Sequence, residues 1–408
     1  MVATAGALAL SACSSKGKSS TSTSNSPSQP AGGSSSSAPT TGGSSVVAGS
    51  KLHPVLPTGD GKAKCSGVSI GYLGTINGAS AALGQAVLKG TKLAVNQHNK
   101  ANPGCQVTVK PFDTEGSPDK APGVATQAIN EKDIIGVVGL VFSGESKAVG
   151  GAFNNAGLVT ITPSATNPGL SQNGWKTFFR GLGNDALQGP FAGKFIRDDL
   201  KASTVCVVED DSDYGKGLAA AVKKQLGSKV NCTDDVKTGQ KDFSATVNKI
   251  QAAKPDAVFY SGYYPEAGPF VQQLRQGGYS GKIVAPDGVK DPLFVKGAGQ
   301  SAAEGAYLTC PCVPGDASAT FASQYKAAYG MDPQTYSAEA YDVATIELTG
   351  IDKGNTTRPK LLNFVKNYSG DGITKHFQWK SDGELAGTLP VWAYAVKSGQ
   401  IVKFKQLQ

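Results

Sequence analysis

The chain has 408 residues, 39% of them hydrophobic and 17% charged, with a formal net charge of +8. Its Lys and Arg residues are spread along it without a block, which favours a solvated surface and argues against a nucleic-acid partner. No run of 18 apolar residues occurs, so no segment reads as a membrane-spanning helix.

The stretch Met1 to Cys13 is apolar and closes in small residues before a Cys, like the end of a secretory signal whose basic start has been cut off. Leu10-Ser11-Ala12-Cys13 resembles the bacterial lipobox, in which the Cys is diacylated and becomes the mature N-terminus. Residues 14–50 are nearly all Ser, Thr, Gly, Pro and Ala, too poor in apolar side chains to order themselves. A flexible tether is expected over 14–64. The remainder, roughly 345 residues, is long enough for two domains.

From Cys65 the pattern alternates between strands and helices. Strand 68–73 leads through a Gly/Ser-rich loop into a helix over 84–99. Strand 107–112, helix 119–131, strand 135–139, helix 145–155 and strand 158–161 follow. Repeats of this kind predict a parallel sheet covered on both faces. Residues 175–180 form a linking region, and Asn184 opens another helix. The alternation resumes with strand 204–208, helix 214–226, strand 229–232, helix 242–253, strand 257–260, helix 265–276 and strand 282–285. After Cys312 come helices over 317–329, 337–350 and 358–367, then strands over 390–396 and 401–404. Neither late group makes a core alone, so two α/β lobes joined by several crossings are expected.

Seven Cys suit an oxidising, extracytoplasmic compartment, one for lipid and six to pair. Cys65 and Cys105 precede successive strands, and Cys206 and Cys232 lie in successive strands. Neighbouring strands of a βαβ unit bring such pairs within bridging distance. Cys310 and Cys312 flank Pro311 and can close a small ring. Zinc is the rival for that pair, weakened by the lack of a second Cys/His pair nearby. No other metal site and no cofactor is indicated.

Catalytic signatures are missing. The three His, His53, His98 and His376, stand at no strand end beside a Ser or Cys, and neither a nucleophile elbow nor a P-loop occurs. Gly71-Tyr72-Leu73-Gly74 with Asp113 is a weak likeness of a dinucleotide fingerprint, lacking the third glycine. What the strand ends do carry is Ser143, Ser164, Thr166, Tyr214, Tyr263 and Asp287. Hydroxyls and free N–H groups at helix starts suit a carboxylate, and an aspartate suits an ammonium. An amino acid presents both charges on one carbon. The bland alternative also holds for each residue: Ser143 can cap the helix after it, and a buried Tyr can simply pack.

Ile161-Thr162-Pro163-Ser164-Ala165-Thr166-Asn167-Pro168 resembles the corresponding turn of bacterial leucine/isoleucine/valine-binding proteins. So do Lys241 to Ser244, Tyr260 to Gly268, Ala285 to Val289 and Ala303 to Ala306. The likeness runs from about Gly71 to Thr309 and is most specific over Asp256 to Gly268. It implies a type I periplasmic binding protein, with two Rossmann-like lobes joined by three crossings that close on a ligand. The lobes would comprise residues 65–185 with 311–375, and 186–310 with 376–408. The resemblance implies that Ser143 bonds the ligand's carboxylate, that Ser164 takes the place of a small residue whose backbone contacts the ligand, and that Ala165 belongs to the ligand site. Thr166 would touch both carboxylate and ammonium. Asp185 sits near an acidic position at the lobe junction. Tyr214 and Tyr263 would form an aromatic wall, and Asp287 would take the ammonium. Leu83 stands where a Tyr or Trp is usual, and Asp287 where Glu is usual, which leaves the ligand's side chain open. The implied protein is a monomeric, lipid-anchored, extracytoplasmic binder that delivers an aliphatic amino acid to an ABC permease, and no enzyme. A ligand-sensing receptor of the same fold, taking an amide, urea or aromatic acid, is the alternative.

Overall fold

The computed structural model describes residues 52–407. The signal segment, the lipidation candidate Cys13 and residues 14–51 of the tether lie outside the described residues. The tether was expected to reach Lys64, but the chain joins the body sooner. The backbone N–H of Val55 donates to the Asp371 carbonyl at 2.8 Å, and Asn102 Nδ2 donates to the Thr58 carbonyl at 3.0 Å. Residues 53–64 run along the body because their backbone groups find partners there.

The first lobe is built on β1 (Ser69–Gly74), α1 (Ala81–Ala101), β2 (Thr108–Asp113), α2 (Ala121–Asn130), β3 (Ile134–Gly139), α3 (Ser143–Asn155), β4 (Val159–Thr162) and β5 (Phe178–Arg180). Its sheet runs β2-β1-β3-β4-β5, parallel throughout. β1, β3 and β4 are buried along their whole length, as strands of a parallel sheet covered on both faces are. β5 replaces what the sequence presents as a link; three residues are too few to show a period.

The second lobe holds α4 (Asp185–Lys194), β6 (Val205–Asp210), α5 (Asp213–Leu226), β7 (Val230–Val236), α6 (Ser244–Ala253), β8 (Ala257–Ser261), α7 (Tyr264–Gln276) and β9 (Lys282–Ala285). Then come the short α8 (Pro292–Ala298) and α9 (Gln300–Ala303), and β10 (Tyr307–Cys310), none of which the sequence pattern revealed. The chain returns to the first lobe for α10 (Ala319–Tyr329), α11 (Ser337–Asp352), α12 (Arg358–Lys366) and the hairpin β11 (Ser369–Asp371) and β12 (His376–Gln378). It ends in β13 (Val391–Lys397) and β14 (Gln400–Leu407), which extend the second sheet to the order β14-β13-β10-β9-β8-β6-β7. β13 and β14 run antiparallel, so this sheet is mixed.

The chain thus passes between the sheets three times. The last passage, expected at 375, falls after Leu385. Trp379 still packs edge-on against Phe179, with ring centroids 5.3 Å apart, and Glu384 pairs with Arg180. The three disulfides join Cys65 to Cys105, Cys206 to Cys232 and Cys310 to Cys312. Closing loops 40 and 26 residues long stabilises the first two ends by about 4 kcal/mol each on the chain-entropy view. Sulfurs spent on disulfides offer no thiolate to zinc. The same holds for His98, Cys105 and Asp352, which lie together around a bridged sulfur.

Candidate functional site

In each sheet the strand order reverses beside a central strand: β1 has β2 on one side and β3 on the other, and β6 has β7 and β8. Ligands of open α/β sheets sit in the crevice that such a reversal opens at the carboxyl ends of the strands. The two crevices face each other. Lys147 on α3 pairs with Asp213 on α5 at 2.7 Å, and Asn167 Nδ2 donates to the Asp213 carbonyl at 2.6 Å. Tyr264 at the start of α7 donates to the Ala79 carbonyl at 2.8 Å, and the Phe142 and Tyr263 rings lie 4.7 Å apart. The lobes are therefore in a closed arrangement. Gly217 permits it, since a Cβ there would come within 2.7 Å of Asn167 Nδ2.

On the first rim, β3 delivers Ser143 to the first turn of α3. The helix begins at Ser143 rather than after it, and the Glu145 carboxylate accepts from the Phe142 N–H at 3.0 Å. Ser143 is thus not the cap, and the unpaired N–H groups of this helix start open onto the rim. Its hydroxyl accepts from the Asn167 N–H at 3.2 Å. Burial pushes the Glu145 carboxyl up to about 7. β4 delivers the turn after Thr162. Ser164 turns its hydroxyl inward, donating to the Val141 carbonyl at 2.8 Å. Thr166 is fully buried, and its hydroxyl has no well-formed hydrogen bond.

On the second rim Asp287 is fully buried, just past β9. One oxygen accepts from the Tyr214 hydroxyl at 2.5 Å and from Gln188 Nε2 at 2.9 Å. The other accepts from the Tyr336 hydroxyl at 2.5 Å. Burial raises its pKa above the ordinary carboxylate range, while these three donors pull it back. All three are neutral, so the charge they hold is not compensated by them. Tyr263 stacks beside Tyr214, ring centroids 5.0 Å apart. Asp185, at the start of α4, is also fully buried, and neither of its oxygens has a well-formed hydrogen bond. Burial and the charge of Asp287 hold it well above its ordinary range, against the opposing pull of Thr166 and Arg180. Two buried carboxylates beside an unpartnered hydroxyl form a place that calls for a cation with N–H donors.

Ser143, Thr166, Asp185, Tyr214, Tyr263 and Asp287 are thus brought together where the lobes meet. Ala165 is not free to bind: its N–H donates to Thr162 Oγ1 at 2.9 Å and its carbonyl accepts from Arg180. Leu83 is buried within the main core. Gln188 and Tyr336 were not foreseen. Asp185 and Gln188 are three residues apart on one helix, spacing that puts them on one face, and that signal was available. Tyr336 sits in a left-handed turn (φ 69°) before α11, outside any periodic pattern.

A profile of a family described as periplasmic binding protein matches residues 67–400. The leucine-, isoleucine-, valine-, threonine- and alanine-binding protein of Pseudomonas aeruginosa is 32% identical over 301 residues, covering 72% of this chain and 80% of that one. A leucine-binding protein of Thermotoga maritima superposes with a TM-score of 0.76 at 26% identity, over 84% of this chain and 99% of the other. The substrate-binding protein of a branched-chain amino acid transporter from Streptococcus pneumoniae, solved with isoleucine, gives 0.76 at 28% identity, over 82% and 99%.

Proposed function

This chain belongs to the periplasmic binding protein family, and we propose that it captures an aliphatic α-amino acid between its lobes outside the cytoplasm and delivers it to an ABC permease. The observation that carries this is Asp287, a fully buried carboxylate held only by neutral donors and facing a rim of hydroxyls and helix N–H groups. A zwitterion satisfies both ends. Its carboxylate goes to Ser143, Thr166 and the start of α3, and its ammonium goes to Asp287 and Asp185. Desolvating those charges is costly unless each finds its partner, which is why so polar a site selects a zwitterion. Phe142, Tyr214 and Tyr263 supply aromatic surface for the side chain.

The amino acid first meets the first lobe, and closure follows because contacts from the second lobe exist only when the lobes meet. Cys13 in its lipobox-like setting would carry a diacylglyceryl anchor, and the Ser/Gly-rich tether would give a monomer reach to the permease. The test is a thermal-shift screen against the natural amino acids followed by calorimetry. Leucine, isoleucine and valine should raise the melting temperature, because a ligand that binds only the native state stabilises it. A screen in which benzoate or urea shifts it and no amino acid does would replace this function with that of the sensor.

A further inference from the structure

We propose that Arg180 is a positioning residue for ligand capture: it fixes the Ala165–Thr166–Asn167 turn and ties it through Glu384 to the third passage between the lobes. This rests on Thr166 contacting the ligand. Arg180 ends β5 and is fully buried. Its guanidinium donates from Nη1 to the Ala165 carbonyl and from Nη2 to the Asn167 carbonyl at 2.9 Å. One rigid fork therefore holds the carbonyls on both sides of Thr166.

The peptide geometry turns that into aim. In a trans peptide the N–H points opposite to the carbonyl. With the Ala165 carbonyl drawn to Arg180, the Thr166 N–H points away from it. The Thr166 carbonyl accepts from the Asp185 N–H at 2.9 Å, and accordingly the Asn167 N–H faces Ser143. The whole turn is set from behind, so the Thr166 N–H and hydroxyl are presented rather than searching.

Two further donors of Arg180 go to Glu384, from Nε at 3.1 Å and Nη2 at 2.9 Å. The backbone joins in: Arg180 N–H donates to the Gly383 carbonyl at 3.0 Å, and Trp379 Nε1 donates to the Arg180 carbonyl at 2.7 Å. Gly383 approaches so closely (φ 81°) that a Cβ there would lie 2.1 Å from the Phe178 carbonyl. Residues 379–384 thus clasp Arg180 just before the chain crosses into β13. A rotation of the lobes about that passage pulls on the residue that aims Thr166.

The test is a double-mutant cycle by calorimetry with L-isoleucine and L-leucine as probes. Arg180→Lys keeps the charge but cannot fork over two carbonyls and a carboxylate, and should weaken binding about tenfold or more. Thr166→Val should do the same, and the double variant should be little weaker than the weaker single one, because coupled residues do not add. Glu384→Gln keeps an acceptor, and should weaken binding about threefold and couple to Thr166→Val in the same way; it decides the matter if Arg180→Lys does not fold. Losses that multiply fully, or affinities within about twofold of the parent for the folded Arg180 or Glu384 variant, overturn the proposal. Unchanged binding by Thr166→Val alone would instead remove Thr166 from the ligand site.

Discussion

The two rims of the cleft are built differently. The first presents hydroxyls and N–H groups and is largely complete within its own lobe. Ser164 is bonded to Val141, Ser143 to Asn167, and the turn between them is held by Arg180. The second carries charge and is not complete within its own lobe. Asp287 takes Tyr214 and Gln188 from its own side, but its second oxygen takes Tyr336 from the first lobe, a contact that joins the two lobes in the closed arrangement. The difference assigns an order: a prebuilt rim that captures, and a rim assembled by closure that locks.

The sharpest way to break that division is Asp287→Ala. Removing one partner of a buried charge pair costs roughly 2–5 kcal/mol, so isoleucine affinity should fall by about 30-fold to several thousand-fold. Calorimetry on protein with native circular dichroism checks it. Unchanged affinity would mean that the second rim does not hold the ammonium.

Acidity probes the same rim next. Burial raises both Asp287 and Asp185 in the folded protein. Such groups bind protons more tightly folded than unfolded. Free-protein stability therefore falls as pH rises from the ordinary carboxylate range towards the raised values. An ammonium favours their ionised forms, so its binding expels protons. Affinity for isoleucine should then drop on acidification through the raised values towards the ordinary carboxylate range, by up to about tenfold per pH unit for each proton displaced. Titrations in buffers of different ionisation enthalpy count that proton, and Asp287→Asn should flatten the profile. A flat profile in the parent would show both acids already ionised before the ligand arrives.

Tyr336→Phe separates locking from capture. It removes one hydrogen bond to a charged group, worth about 1.5 kcal/mol, so affinity should fall about tenfold. Stopped-flow should place that loss in the dissociation rate, because the contact joins the two lobes in the closed arrangement. A loss confined to the association rate would make Tyr336 part of capture and erase the difference between the rims.

The two rims were also unequally legible in the sequence. The parallel strands of both lobes announce themselves as short apolar runs ending in Gly, Ser or Asp, and their ends locate Ser143, Thr166, Tyr214 and Asp287. The partners of Asp287 do not. Gln188 comes from the inner face of α4, and Tyr336 from an aperiodic turn some 50 residues beyond the carboxylate it serves. Ala165 was misread for the opposite reason. A turn displays its N–H and carbonyl groups in sequence, but only the fold tells that Thr162 has taken the N–H of Ala165 and Arg180 its carbonyl. β5 escaped because three residues show no period, and β10, Tyr-Leu-Thr-Cys, because it has none of the Val and Ile that mark the equally short β4 and β9. Long-range hydrogen bonds, not local pattern, decide each of these.

Ser164→Ala is the smallest expected effect and the cleanest test of a prebuilt first rim. Ser164 is 5% exposed, and its hydroxyl donates to the Val141 carbonyl, across the gap between the ends of β3 and β4. Deleting it leaves that carbonyl short of a partner, so unfolding stability should drop by about 1 kcal/mol. Isoleucine affinity should stay within about twofold, because the bond lies on the protein side of the rim. Chemical denaturation and calorimetry on one preparation measure both quantities. The opposite pattern, stability unchanged and affinity down tenfold, would mean that the hydroxyl turns to the ligand on binding. The first rim would then be assembled by its ligand, as the second is by closure, and the order of capture before locking would lose its structural basis.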